Sequence, residues 1–171
     1  MAATYRVMAK EVVLRNGNSL LALFNGGGSA DILKVDRIWL LNNQIPVFTG
    51  ILTIMELRLI TAHTTGTLVL PTKNVLSSAN LDVNVIASTG ATVTETNLFK
   101  RIIWSADEPG QNENNMDSLE LLTTINVIWD SSYVDTRLEP LTLNAGQGIH
   151  IKCATNTTAS NIGTIVMEFT T

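Results

Sequence analysis

The chain is poor in the residues that reaction chemistry most often recruits. It has one cysteine, Cys153, and two histidines, His63 and His150, in 171 residues. A lone cysteine excludes an internal disulfide. The fold must then rest on packing, which suits a reducing compartment or a particle assembled inside a cell. So few nitrogen and sulfur ligands also give no transition-metal spacing, and no cofactor motif is present.

Charge is scarce as well. Asp, Glu, Lys and Arg make up 15% of the chain, against about 25% in a typical globular protein. Eleven basic residues face fifteen acidic ones, for a net charge of −4. That balance gives no general attraction to nucleic acid or to an anionic membrane. No apolar run approaches the roughly 18 residues of a membrane span. The best, Ile51 to Leu59, is broken by Glu56 and Arg58. Met1 to Arg6 lacks the basic-then-apolar order of a secretory signal. Asn156-Thr157-Thr158 therefore reads as a polar loop rather than a used glycosylation sequon.

Hydrophobic residues make up 45% of the chain, and Thr, Asn and Ser fill the place of the missing charges. A chain this long buries about 70% of its extended surface on folding, enough for one domain spanning residues 1–171. The pattern is β almost throughout, with period-2 alternation, β-branched residues and turn residues between runs. It predicts an all-β, antiparallel two-sheet sandwich of jelly-roll type with about nine or ten strands.

Some local expectations are specific. Arg15-Asn16-Gly17-Asn18 carries the Asn-Gly signal of a tight hairpin between Val7–Leu14 and Ser19–Phe24. Asn144-Ala145-Gly146-Gln147 reads as a second hairpin turn. Strict alternation over Asp31 to Leu41 puts Leu33, Val35, Arg37, Trp39 and Leu41 on one face, and Ile32, Lys34, Asp36, Ile38 and Leu40 on the other. Gly50 to Ala62 forms a long strand with apolar residues on both faces. Leu119 to Trp129 reads as a strand, although Leu119 to Leu122 alone also fits a helical turn.

Candidate chemistry is thin. Gly27-Gly28-Ser29-Ala30-Asp31 resembles a nucleophile elbow but lacks its last glycine and the following helix. His150, between Ile149 and Ile151, is expected to point to solvent, and His63 sits at a strand end. Strand alternation puts Cys153 with Ile149 and Ile151, as a buried, inert thiol. Asp107, Glu108, Glu113 and Asp117 crowd one loop, and Asp130 and Asp135 another, without the spacing of a calcium loop. Asn25 to Ser29 has glycines but no phosphate-binding lysine. Lys100-Arg101, beside Phe99 and Trp104, is the one local basic pair with aromatics. Trp39, Trp104 and Trp129 lie in apolar segments and read as core or interface. Convergent carboxylates of a glycosidase remain open to the fold.

Four stretches carry a resemblance: Arg37-Ile38-Trp39-Leu40-Leu41-Asn42-Asn43-Gln44, Thr49 to Thr53, Leu98 to Pro109, and Glu139 to Ile149. Across most of the chain they resemble small virion proteins of tailed phages, and more broadly the capsid decoration, or cement, proteins. That resemblance implies a β-sandwich subunit in the virion, assembled in the host cytoplasm. It would bind the major capsid protein on the outside of the head, often as a homotrimer, with no catalytic residues. A receptor- or glycan-binding virion module, such as a fibre head, is the alternative, and an enzyme the third. The residues add one physical expectation. A sandwich has one interior, so Leu52, Ile54 and Ile60, on the second face of Gly50 to Ala62, need a covering loop such as Pro71 to Asn80, or a second subunit.

Overall fold

A computed structural model describes residues 3–17, 19–42, 51–106, 126–131, 140–154 and 162–171. Among them the chain forms twelve strands and no helix: β1 (Thr4–Val13), β2 (Ser19–Asn25), β3 (Leu33–Asn42), β4 (Ile51–Thr64), β5 (Thr67–Leu68), β6 (Thr72–Lys73), β7 (Val85–Thr89), β8 (Thr92–Ala106), β9 (Asn126–Asp130), β10 (Leu141–Leu143), β11 (Gln147–Cys153) and β12 (Ile162–Thr170). They make a β-sandwich of two antiparallel six-stranded sheets. One sheet runs β10-β3-β12-β1-β6, with β9 also on the outer side of β3; the other runs β5-β7-β2-β11-β4-β8. The strand count exceeds the expected nine or ten mainly through β5 and β6, of two residues each.

Alternation supplies the core. Tyr5, Val7 and Ala9 of β1, Ile165, Met167 and Phe169 of β12, and Leu33 and Val35 of β3 face Leu21 and Leu23 of β2, Met55 and Leu57 of β4, and Ile149, Ile151 and Cys153 of β11. Tyr5 and Phe169, paired across β1 and β12, stack with ring centroids 5.5 Å apart.

Strict alternation fails in β3. Leu33 and Val35 are buried, and so are Ile38 and Leu40, while Arg37 and Trp39 face outwards. The pairing with β12 slips at this point: Glu168 pairs with Arg37 and Phe169 with Val35, which leaves Asp36 as an extra residue. A bulge there switches the phase of the strand. It brings two apolar runs offset by one residue to the same core. β1 does the same between Ala9 and Val12, with Glu11 at φ 53°.

Both expected hairpins are corners between the sheets. Gly17 does have positive φ, 77°, but β1 lies in one sheet and β2 in the other. Asn16 instead bridges Cys153, and the Gly17 amide donates to the Cys153 carbonyl at 2.9 Å. Asn144 to Gln147 is a tight turn, closed by Gln147 N–H to Asn144 C=O at 3.0 Å with Gly146 at φ 79°. It leads from β10 in one sheet to β11 in the other. Turn chemistry fixes a local reversal; it does not fix the partner. Here β1 gains more by pairing with β12, and β2 with β11, because each then lays its apolar face on a common core.

Candidate functional site

Among the described residues, the densest set of chemically capable side chains lies on the outer face of the second sheet, where β11 pairs with β4 and β4 with β8. Cross-strand register builds it. Lys152 pairs with Glu56, and Glu56 with Arg101; His150 pairs with Arg58. Side chains directly opposite on one sheet face approach within contact distance.

Glu56 is 2% exposed. Its carboxylate accepts from Arg58 Nε at 2.6 Å and from Arg101 Nε at 3.0 Å. Burial alone would raise its pKa, but the two guanidinium groups outweigh that and hold it below the ordinary carboxylate range. Glu95 of β8 receives Lys152 Nζ at 2.6 and 2.8 Å and Arg58 at 3.3 Å. There too burial pulls upward, and Lys152, His150 and Arg58 prevail, lowering the pKa.

His150 is 2% exposed, so the expectation that it points to solvent is corrected. Its side chain does leave the core, as alternation requires, but the outer face is covered at this place. In sheet order β4 is separated from β7 by β2 and β11. Yet His63, near the end of β4, shares a 2.6 Å hydrogen bond with Ser88 of β7 and stacks on Phe24 of β2 at 6.0 Å. The end of the β4–β8 ribbon therefore folds across β11 and β2. Register shifts between Leu57 and Ala62 supply the bend.

Under this flap, His150 Nδ1 shares a 3.3 Å hydrogen bond with Ser19 Oγ, and Nε2 stands 3.4 Å from Glu95 Oε1. The latter is long for a hydrogen bond, and Nε2 has no other partner. The carboxylate favours the tautomer with its proton on Nε2, leaving Nδ1 to accept from the Ser19 hydroxyl. Burial pushes His150 down to about 4, with Lys152 and Arg58 assisting and Glu95 opposing. His63 is lowered by burial as well.

Ser19, His150 and Glu95 are the residue types of a nucleophilic triad. Ser19 and His150 are both buried, and the charge of Glu95 is committed to Lys152 and Arg58. The network fastens the flap to the sheet.

Other sequence candidates fall elsewhere. Ile60 is 1% exposed and is no surface residue. It shares the outer face with Arg58, but closes over Gly148, whose missing side chain leaves the room. A Cβ there would stand 2.9 Å from Ile60 Cγ1 and 2.8 Å from Phe24 Cδ2. Ile54 is half-buried beside the exposed Ile103. Leu52 pairs with Ser105 in the backbone, and its side chain lies outside the described residues. Cys153 is buried, 3.5 Å from Thr53 Oγ1, and burial raises its pKa. Ser29 Oγ accepts from the Asp31 amide at 3.1 Å in a local turn. Asp130, expected in an exposed acidic loop, ends β9 and accepts from Arg37 Nε at 2.9 Å. Trp129 is buried, donating to the Val35 carbonyl at 3.1 Å, and Trp39 lies under Arg6. Asp107, Glu108, Glu113, Asp117 and Asp135 lie outside the described residues, as does the Trp104 side chain. Among the described residues, no group of three or more His, Cys, Asp or Glu is placed to hold a metal ion. No helix there is long and apolar enough to cross a membrane.

Two hollows lie among the described residues. One of about 300 Å³ lies against the β1 bulge, beside Lys10, Glu11, Ser19 and Gly90. The other, about 390 Å³, opens between the sheets where β10 meets β4 and β8. No family model, curated protein or solved structure matches the chain.

Proposed function

We propose that this chain is a structural, non-enzymatic subunit of a tailed-phage virion: a capsid decoration protein that binds the major capsid protein on the outside of the head. The resemblance adds that it works as a homo-oligomer, a trimer. The supporting observation is the segment that runs from Leu68, the last residue of β5, to the start of β7. It is firmly tied down: Asn74 N–H donates to Thr4 C=O at 2.9 Å, Tyr5 Oη–H to Ala79 C=O at 2.6 Å, and Gly26 N–H to Asn84 C=O at 3.0 Å. Yet it holds Leu68, Leu70, Val75, Leu76 and Val83 outwards, 58 to 92% exposed. An anchored backbone that presents a row of apolar side chains is the signature of a docking surface. Decoration acts through such area rather than through a reactive group. We also read the topology as a jelly roll. β1-β12-β3-β9/β10 opposite β2-β11-β4-β8 is the order made by rolling antiparallel pairs into two sheets, with β5 to β7 inserted.

The test is co-sedimentation of the purified chain with shells assembled from the major capsid protein of its own particle. Saturable, stoichiometric binding and slower heat disruption of the shells are expected. Absence of binding overturns the decoration reading.

One observation favours a receptor- or glycan-binding module instead. The 390 Å³ cleft is lined by Thr61, Thr96, Asn97, Thr142 and Gln147 over Leu59, with no charged residue. Hydroxyls and amides above an aliphatic floor suit a neutral polyhydroxyl ligand. Saturable binding of a neutral oligosaccharide, abolished by Asn97→Leu, would favour that reading.

A further inference from the structure

The two histidines of the chain meet where one strap of sheet crosses another. Beyond Arg58 the β4–β8 ribbon leaves the sheet plane, and residues 59–64 with 92–97 lie over β11 and β2. This strap is pinned at both ends. At its root Arg58 and Arg101 clasp Glu56. At its tip β5 pairs with β7, and the Gly90 amide donates to the Ser19 carbonyl at 2.8 Å. Between the pins its polar contacts run through imidazole. His63 of the strap meets Ser88 of β7 at 2.6 Å, and Glu95 of the strap stands 3.4 Å from His150 Nε2, beside its ion pairs with Lys152 and Arg58.

We propose that the strap is an acid-operated latch: it stays closed over β11 and β2 while the imidazoles are neutral, and a proton on His150 lifts its middle, uncovering Phe24 and Gly148 and reshaping the cleft beside β10. The proposal concerns a single chain and depends neither on a shell nor on an oligomer.

Three observations carry it. The first is charge. The groups facing His150 are Ser19 of β2, Arg58 of β4, Glu95 of β8 and Lys152 of β11, and Glu56 and Arg101 complete the cluster. Three cations thus meet two carboxylates. A proton on the ring adds a like charge to a site that already holds a surplus one, and burial strengthens the repulsion. The second is confinement. His150 is 2% exposed and its Nε2 makes no hydrogen bond. A charged ring needs water on that nitrogen, and the strap is what covers this face. The third is a hinge. The pairing of β4 with β8 slips three times between Leu57 and Ala62, so the ladder is already broken at the root and the strap can bow there while the rest stays paired. His63, in contact with Ser88 and Phe24, adds a second imidazole that burial keeps neutral. The strap residues Leu59, Ile60, Thr61, Thr96 and Asn97 line the 390 Å³ cleft, so lifting them moves its wall.

The test is amide hydrogen exchange at pH 7 and pH 5, corrected for the chemical rate at each pH. With His150 at about 4 under the closed strap and at the ordinary 6.5 once uncovered, strap amides should open about twenty-fold more often at pH 5. Carboxylates are largely ionised at both values and contribute little. The opening should depend weakly on urea, since it exposes little surface. Tyr5 and Phe169 should open only in the steeply urea-dependent unfolding of the whole sandwich. His150→Gln, which stays polar but cannot charge, should hold strap exchange constant from pH 7 to 5. Strap amides that share the urea dependence of Tyr5, that open equally at both pH values, or that keep their pH response in His150→Gln each overturn the latch. Should that variant not fold, the wild-type ring decides: its NMR titration midpoint in the folded chain is expected at about 4, and a midpoint at the ordinary value overturns the proposal.

Discussion

His150 on β11 turns its Nε2 to 3.4 Å from Glu95 Oε1 on β8, and the two, with Lys152, fasten the folded-over end of the β4–β8 ribbon to the middle of the sheet. The groups facing His150 are Ser19, Glu95, Arg58 and Lys152. Its folded pKa of about 4 lies below the ordinary 6.5. Between those values the unfolded chain binds a proton that the folded chain refuses. Stability is therefore complete above pH 6.5 and is lost as pH falls towards 4, by on the order of 3 kcal/mol. Glu56 and Glu95, both lowered, remove more stability only below the ordinary carboxylate pKa. Urea midpoints measured from pH 7 to 4 should fall for the wild type and flatten for His150→Gln. A wild-type midpoint constant down to pH 5 would mean that the buried ring is already charged.

Glu56→Gln should cost about 2 kcal/mol. Breaking a fully buried ion pair costs about 3–5 kcal/mol, but the Arg101 side chain is 55% exposed and its charge returns to water. Adding Arg101→Gln should then cost little more. Equal, additive losses in that double-mutant cycle would show that the two groups do not interact.

Two glycines separate conformational strain from crowding. Gly17 has φ 77° and open space around a would-be Cβ, so Gly17→Ala should cost only the backbone penalty of about 1 kcal/mol. At Gly148 a Cβ would stand 2.5 Å from the Leu23 carbonyl oxygen. Gly148→Val should cost about 3 kcal/mol or more and loosen Ile60 and Phe24. Thermal denaturation that ranks the two variants the other way would contradict this account of the flap.

The Cys153 thiol, buried and raised in pKa, should resist alkylation at neutral pH until the chain unfolds. Its labelling rate should follow global opening and rise with urea. Rapid labelling of the native chain would show that the Thr53–Cys153 side of the core opens locally.

The all-β class and much of the core were legible in the residues. Tyr5, Val7 and Ala9, or Ile149, Ile151 and Cys153, alternate because a strand buries every second side chain, and that needs no knowledge of the partner. The bulge at Asp36 was missed: strict alternation put Arg37, Trp39 and Leu41 with Leu33 and Val35, whereas Ile38 and Leu40, one residue out of phase, are the ones that join them in the core. So was the burial of His150. Alternation puts it outside the core, but only the return of β4 and β8 over β11, closed by His63 on Ser88, turns that outside into an interior.

The sequence by itself determined period, turn positions and the sign of φ at Gly17, because these depend on a few adjacent residues. Tertiary structure decided which strands those turns connect, which polar groups meet, and that Ile60 lies over Gly148 rather than at the surface. Those outcomes depend on contacts between residues as far apart as Glu56 and Lys152. Pairing energy and burial are shared across both sheets at once, so no local stretch of chain specifies them alone.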